Sequence, residues 1–384
     1  MQRSGNTASF TIRLACPALL ACLSESVSAS YQFEAVYTGE VLSLVSGGLE
    51  TGSRYLDNLD LTLRIKPADA WGFGSGTVFV YGLYNNSATF SDPLVGDIQV
   101  ASNIETEYAW RLFELWYEFG GEAWSMRTGL YDLNSEFDVI EAADLFLNSS
   151  HGIGPDFSQS GLNGPSIFPV SSLSVRGALQ VGNVNYRIAV LDGVPGDPND
   201  AASNAIRLRG RDGLLAVAEV EMTQTRVGRI WAGYWRYSAD FEMPFSQGTT
   251  NSNDGWYIGI ERNFTMGSRV AAWFVRYGQA DERVNPLRDY LGAGVVINAP
   301  LERRPDDQIG LAVATPRLGV PYRKYIGQVA TDSSNRETNW ELTYRATISE
   351  HFTIQPNIQY VNNPSGSGSL QDAWIVGLRF EIAY

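Results

Sequence analysis

The chain predicts an all-β fold, a 16-stranded antiparallel transmembrane β-barrel with a long inward-folded third loop, and three observations carry that prediction. Apolar side chains alternate with polar or small ones in segment after segment, a period of two that puts one set on each face of a strand. The connections between those segments switch between tight turns and much longer stretches. Beyond the first thirty residues, no stretch approaches the roughly 18 to 20 uninterrupted apolar residues that a spanning helix needs. The 44% of hydrophobic residues must therefore be dispersed along the chain.

Residues 1–29 read as a secretory signal peptide. Arg3 and Arg13 flank the approach to an apolar run from Leu14 to Leu23, and Val27-Ser28-Ala29 supplies small residues for cleavage near Ala29. Leu19-Leu20-Ala21-Cys22 also fits the pattern for lipid attachment at Cys22, and a short N-terminal anchor is a third reading. Cleavage is preferred because a good site lies just beyond Cys22. Both cysteines, Cys16 and Cys22, fall in this segment, so a cleaved chain has no disulfide framework and no thiolate metal site. Residues 30–384 are read as one domain, because no repeat, heptad or low-complexity linker divides them.

Walking onward with the alternation as template, strands are predicted near 31–44, 56–65, 76–85, 111–119, 124–131, 172–181, 184–191, 213–222, 228–237, 256–263, 269–277, 290–297, 307–314, 338–348, 352–360 and 373–384. Sixteen is an even number, as bacterial barrels require. The pattern is plainest at the end, where Trp374, Val376, Leu378, Phe380, Ile382 and Tyr384 share one face and Arg379 and Glu381 the other. Segments of this kind reach the 9–11 residues of a tilted spanning strand. Aromatic pairs near strand ends, Trp124 with Tyr131, Trp231 with Tyr237 and Tyr360 with Trp374, are expected to form interfacial girdles.

Gly120-Gly121-Glu122-Ala123, Gly182-Asn183 and Ser349-Glu350-His351 are tight turns, and the longest connection runs from Asp132 to Ser171. Short turns at one end and long loops at the other is the rhythm of an outer-membrane barrel with both termini on the periplasmic side. A connection as long as the third is functional or a sign of wrong assignment. It is expected to enter the lumen as a constriction.

The chain resembles the carbohydrate-selective porins of the OprB family in two blocks. One is Phe113-Glu114-Leu115-Trp116-Tyr117-Glu118-Phe119, followed by Met126 to Phe137 and by Phe146-Leu147-Asn148-Ser149-Ser150. The other is Glu341-Leu342-Thr343-Tyr344-Arg345, then Ile354 to Tyr360, Asn363-Pro364 and Gly377-Leu378-Arg379, with Leu191 to Pro198 as a weaker middle patch. The resemblance implies a 16-stranded barrel in the outer membrane of a Gram-negative bacterium, an arginine-bearing eyelet, and passive uptake of mono- or oligosaccharides. It also implies that Tyr384 is the terminal aromatic read by the barrel-assembly machinery. The partners expected are carbohydrate solutes, membrane lipid and that machinery, with a homotrimer and a monomer both open.

If the apolar face of each strand meets lipid, the opposite face lines the pore. It carries Arg64, Lys66, Arg127, Arg176, Arg187, Arg236, Arg276, Arg345 and Arg379, against Asp60, Glu114, Glu118, Glu219, Glu221, Glu261, Glu341 and Glu381. These nearly balanced signs suit a neutral polar solute better than a one-signed ring would. The residues expected to contact solute are Arg64, Glu114, Trp116, Glu118, Arg127, Arg176, Arg187, Arg345 and Arg379, with Trp116 offering a ring for a sugar C–H face. The plainer alternatives are that Trp116 fills the wall and that the arginines form an ion-pair ladder.

Other classes fare worse. A net charge of -14, with Lys66 and Lys324 the only lysines, opposes nucleic-acid binding. The two histidines, His151 and His351, leave a hydrolase only His151 to use, and paired carboxylates are expected background in a polar lumen. Asp192, Asp197 and Asp200 could bind calcium, but a solvated turn held by Pro195, Gly196 and Pro198 explains them better. No catalytic residue, metal or cofactor is assigned. A porin for other small solutes such as organic acids is the runner-up, ahead of a barrel enzyme and a soluble sugar-binding β-sandwich.

Overall fold

The structure, a computed structural model, describes residues 30–67, 76–86, 88–200, 206, 210, 212–243, 248–267, 269–327, 335–366 and 368–384. The proposed signal segment lies outside the described residues.

Sixteen strands close into one antiparallel barrel. They are β1 (Ser30–Gly48), β2 (Gly52–Lys66), β3 (Thr77–Asn85), β4 (Ala109–Gly120), β5 (Trp124–Tyr131), β6 (Ser172–Val181), β7 (Val184–Asp192) and β8 (Leu214–Thr225), then β9 (Gly228–Tyr237), β10 (Asn253–Met266), β11 (Arg269–Ala280), β12 (Leu287–Asn298), β13 (Gln308–Leu318), β14 (Thr338–Ser349), β15 (Phe352–Asn362) and β16 (Gln371–Ala383). Every predicted strand has its counterpart. Residues Phe241–Glu242 and Thr249–Thr250 add a small hairpin outside the barrel wall.

Each strand pairs with its neighbours in sequence, and β1 pairs with β16 to close the sheet. The seam is fastened at its end by Ala35 and Tyr384, each donating its backbone N–H to the other's carbonyl at 3.0 and 2.9 Å. No strand edge is left in the barrel, which is the condition for burying β-structure in hydrocarbon.

Tight turns at 121–123, 182–183, 226–227 and 350–351 lie at the end of the barrel that carries both chain termini. The expected rhythm breaks twice there, because 67–76 and 299–307 are longer. It breaks also at the opposite end, where 49–51 joins β1 to β2 in a short turn. The short turn at 49–51 follows Gly47 and Gly48, whose φ angles of 76° and 63° reverse the chain at once.

Alternation sets the two faces. On β8, Glu219 is 2% exposed while its neighbour Val220 is 41% exposed. The outer face near the loop end carries Tyr55, Trp110, Trp256, Trp340 and Trp374, an aromatic belt of the expected kind. Three residues expected in such belts face the other way, since Tyr131, Trp231 and Tyr237 are buried inside the barrel, whereas Trp124 and Trp374 are on the outer face. On β9 the phase is opposite to the expected one, with Trp231, Trp235 and Tyr237 inward, so Arg236 lies outside and not in the lumen.

A charge on the outer face tests this division. The Val220→Arg variant should lose about 2–4 kcal/mol of stability if the site lies near the bilayer midplane. Urea-dependent folding into lipid vesicles would measure it, and an unchanged midpoint would count against lipid contact at this face.

Candidate functional site

A bulge in β4 begins the site. Tyr81 pairs with Glu114 but Gly82 pairs with Leu112, so Phe113 is the extra residue and both Phe113 and Glu114 turn inward. Glu114 accepts hydrogen bonds from the Trp116 indole and from the backbone N–H of Asp132, both at 3.0 Å. It thereby ties the wall to the start of the third connection.

Across β4, β5 and β6 the pleat sets Glu118 opposite Arg127 and Arg127 opposite Arg176. Two facing arginines repel unless anions divide them. Glu118 bonds to both, with its contact to Arg127 Nη2 at 2.9 Å. Glu136, from the third connection, grips Arg176 through two oxygens at 2.8 Å and lies 3.3 Å from Arg127. Burial would raise the Glu136 carboxyl, but the two arginines overcome it and hold the group below the ordinary carboxylate range.

The ladder continues round the wall. Arg187 bonds to Glu219 at 2.9 Å and Glu221 at 2.8 Å, and Arg229 joins Glu221 at 3.2 Å to Glu261 at 2.8 Å. Farther on, Arg276 is wholly buried between Asp138, at 2.6 Å, and Asp156. At the seam, Arg379 meets Glu40 at 2.8 Å and also donates to Asn103 at 2.7 Å. Arg345 reaches Glu381 at 3.3 Å.

Connection 132–171 packs against the inner face of this wall. Leu147 and Asn148 donate backbone N–H groups to Glu341 at 2.7 and 3.0 Å, Asp138 N–H donates to Glu219 at 2.8 Å, and Ala142 N–H to Glu261 at 3.1 Å. Its apolar residues fill the rest of the gap. Leu133, Phe137, Ile140, Phe146 and Phe157 join Trp231, Trp235, Tyr257 and Phe274 of the wall in one buried cluster, with Phe157 stacked on Trp235 at 5.0 Å. The inner wall of β9–β11 is thus aromatic, which explains why Trp231 and Tyr237 turn inward.

Connection 86–108 enters the lumen as well. Ser102 donates to Glu40 at 2.7 Å, Gln359 donates to the Ala101 carbonyl at 2.7 Å, and Phe90, Leu94 and Val95 pack on Leu42, Leu56 and Ile375. Sequence reasoning did not single out this segment, nor Glu136, Arg229 and Glu40 as partners of the arginines.

Between these connections and the wall lies a cavity of about 710 Å³ bordered by Asp60, Tyr81, Gln99, Asn134, Asp144, Arg345, Arg379 and Glu381 among others. Of the residues expected to contact solute, Arg345 and Arg379 border it. Glu118, Arg127, Arg176 and Arg187 belong to the ladder, and Arg64 lies over the rings of Phe79 and Trp116 at 5.0 and 5.6 Å. Trp116 is 4% exposed, with the Arg127 guanidinium 3.8 Å from its ring centre and Phe79 stacked at 4.9 Å. The expected stacking platform is therefore covered.

His151 is sealed from solvent. Its ring is buried against Phe146 and Phe274 with neither nitrogen bonded, and burial pushes it down to about 3. His351 lies in the exposed turn 350–351 and contacts the Ala383 carbonyl. Among the described residues no cluster of His, Cys, Asp and Glu could hold a metal, Asp192, Asp197 and Asp200 included.

A closed barrel with an apolar outer face and a lumen narrowed by inward-packed connections is the architecture of an outer-membrane diffusion channel. The chain belongs to the carbohydrate-selective porins of the OprB family, whose family model matches residues 50–384. It is 23% identical over 415 aligned positions to Porin B of Pseudomonas aeruginosa, covering 94% of this chain and 89% of that one. The high-pH structure of Pseudomonas putida OprB superposes with a TM-score of 0.80 at 19% identity, covering 92% and 94% of the two chains. An anion-selective porin from Comamonas acidovorans shares the fold at a TM-score of 0.55 and 12% identity, with 93% and 100% covered. The protein is accordingly a passive carbohydrate channel of the Gram-negative outer membrane.

Proposed function

We propose that the cavity beside connections 86–108 and 132–171 is where sugar is selected, and that neutral mono- or oligosaccharides bind there weakly enough to be released into the periplasm. The observation that carries this reading is the mixture of groups on its border: Arg345 and Arg379 donate, Asp60 and Glu381 accept, and Tyr81 and Asn134 can do both. Sugar hydroxyls need that mixture. Glu114, Glu118, Arg127, Arg176 and Arg187, with Arg64 and Trp116, serve by holding the wall and the third connection in place. No catalytic role is proposed; the His151 ring is buried, with neither nitrogen bonded.

The remaining assignments complete the reading. Cleavage near Ala29 releases residues 30–384. Tyr384, 86% exposed at the end of the seam, is available to assembly machinery. The barrel works as a monomer or as each unit of a homotrimer.

Single-channel conductance of detergent-purified protein in a planar bilayer, titrated with glucose, a maltooligosaccharide and a dicarboxylate, tests the function. Saturable closure by a sugar is the expected result, and Arg345→Ala should raise the half-closing concentration by about tenfold, the worth of a hydrogen bond to a charged group. Openings that no sugar blocks would favour a porin for other small solutes.

A further inference from the structure

We propose that the uncancelled charge bordering the lumen is acidic, which makes the channel cation-selective and sets it against anionic sugar derivatives such as sugar acids and sugar phosphates. This rests on the reading of the cavity as the solute path. Among the described residues on its border the basic side chains are Arg345 and Arg379. Each is already engaged by a carboxylate, Arg345 by Glu381 at 3.3 Å and Arg379 by Glu40 at 2.8 Å.

The acidic border is larger. It comprises Asp60, Glu105, Asp132, Asp144 and Glu381, of which Glu381 alone is paired with a cation among the described residues. Asp60 accepts from the Asn58 amide at 2.7 Å and the Tyr81 hydroxyl at 2.6 Å, neutral donors that orient the carboxylate without cancelling its charge. Glu105 is turned onto the backbone N–H groups of Phe90 and Ser91 at 2.8 and 2.9 Å. Burial, with Glu114 adding to it, pushes Asp132 up to about 8, so it is largely protonated at neutral pH. Asp60, Glu105 and Asp144 are left as the acids that no described cation pairs.

The carboxylates of Asp60, Glu105 and Asp144 make the charged side chains left on this wall acceptors. A hydroxyl or an ammonium group brings donors to them, whereas a carboxylate or phosphate brings only more acceptors and a charge of the wrong sign.

The test is the reversal potential of the full-length protein in a planar bilayer under a potassium chloride gradient, with closure by glucose recorded on the same channels. Potassium should be favoured over chloride by at least about fivefold, since a carboxylate about 4 Å away raises the potassium population by about that factor in water and lowers that of chloride. The ratio should fall toward unity when Asp60→Asn and Asp144→Asn are combined. A reversal potential of zero, or one of chloride-favouring sign, overturns the proposed polarity even where glucose still closes the channel. Cation-favouring channels that no sugar closes support the polarity and overturn the carbohydrate path. The wild-type measurement decides the sign, and the amide variants nearly preserve side-chain shape.

Discussion

Arg276→Ala should destabilise the barrel by about 3–5 kcal/mol, because removing one member of a buried ion pair leaves the other charge uncompensated. Here two carboxylates are left. Arg276 is fully buried and holds Asp138 through Nε at 3.2 Å and Nη2 at 2.6 Å, with Asp156 on Nη1. Both acids come from the third connection, so the arginine clamps that connection to β11. A lowered midpoint of heat unfolding should therefore come with larger and noisier single-channel currents. The triple variant Arg276→Ala, Asp138→Asn and Asp156→Asn should recover part of the stability, since the residues share one network and their effects are not additive. An unchanged unfolding midpoint in Arg276→Ala would remove the clamp from the account.

Glu341→Leu should have an effect of similar size on β14, three strands farther round the barrel. Its carboxylate is fully buried and accepts from Leu147 N–H, Asn148 N–H and the Asn357 amide, the last at 2.7 Å. Leucine would leave two buried backbone donors and one side-chain donor unmatched at about 1–3 kcal/mol each, before relaxation. Glu341→Gln keeps one acceptor oxygen and should lose roughly half as much. If the connection is displaced, the longest maltooligosaccharide that closes the channel should also change. A stability loss in Glu341→Leu with conductance and length limit unaltered would mean that Glu341 supports the wall without setting the aperture.

The strands were legible in the sequence because hydrocarbon enforces the alternation on their outer face. Glu219 and Val220 illustrate the rule, and segments 290–297 and 307–314 correspond to β12 and β13. The lumen was less legible because its inner face is shared with another part of the chain. Trp231, Trp235 and Tyr257 are as apolar as anything facing lipid, yet they pack on Phe157 and its neighbours. Periodicity alone has no means of telling those environments apart on β9.

The same limit governs the arginines. Apart from Arg236, their inward direction follows from strand phase. Their partners Glu136, Asp138 and Asp156 come from a segment with no period of two, so only three-dimensional packing assigns them. The phase of β4 also concealed an irregularity, since the bulge at Phe113 brings two consecutive side chains inward. Connection 86–108 was missed for a related reason: its apolar residues Phe90, Leu94 and Val95 satisfy an internal cluster, not a strand face.

The seam between β1 and β16 also has a temporal meaning. Glu40 and Arg379, which bridge it, are separated by 339 positions. The first strand made must wait for the last before its free edge is satisfied, and until then every partial sheet exposes two edges able to recruit foreign strands. Such distant pairing carries a large loop-closure cost before it is rewarded. Closure is consequently a terminal event: emergence from synthesis cannot complete the cylinder strand by strand, and the chain needs shelter until its final strand arrives.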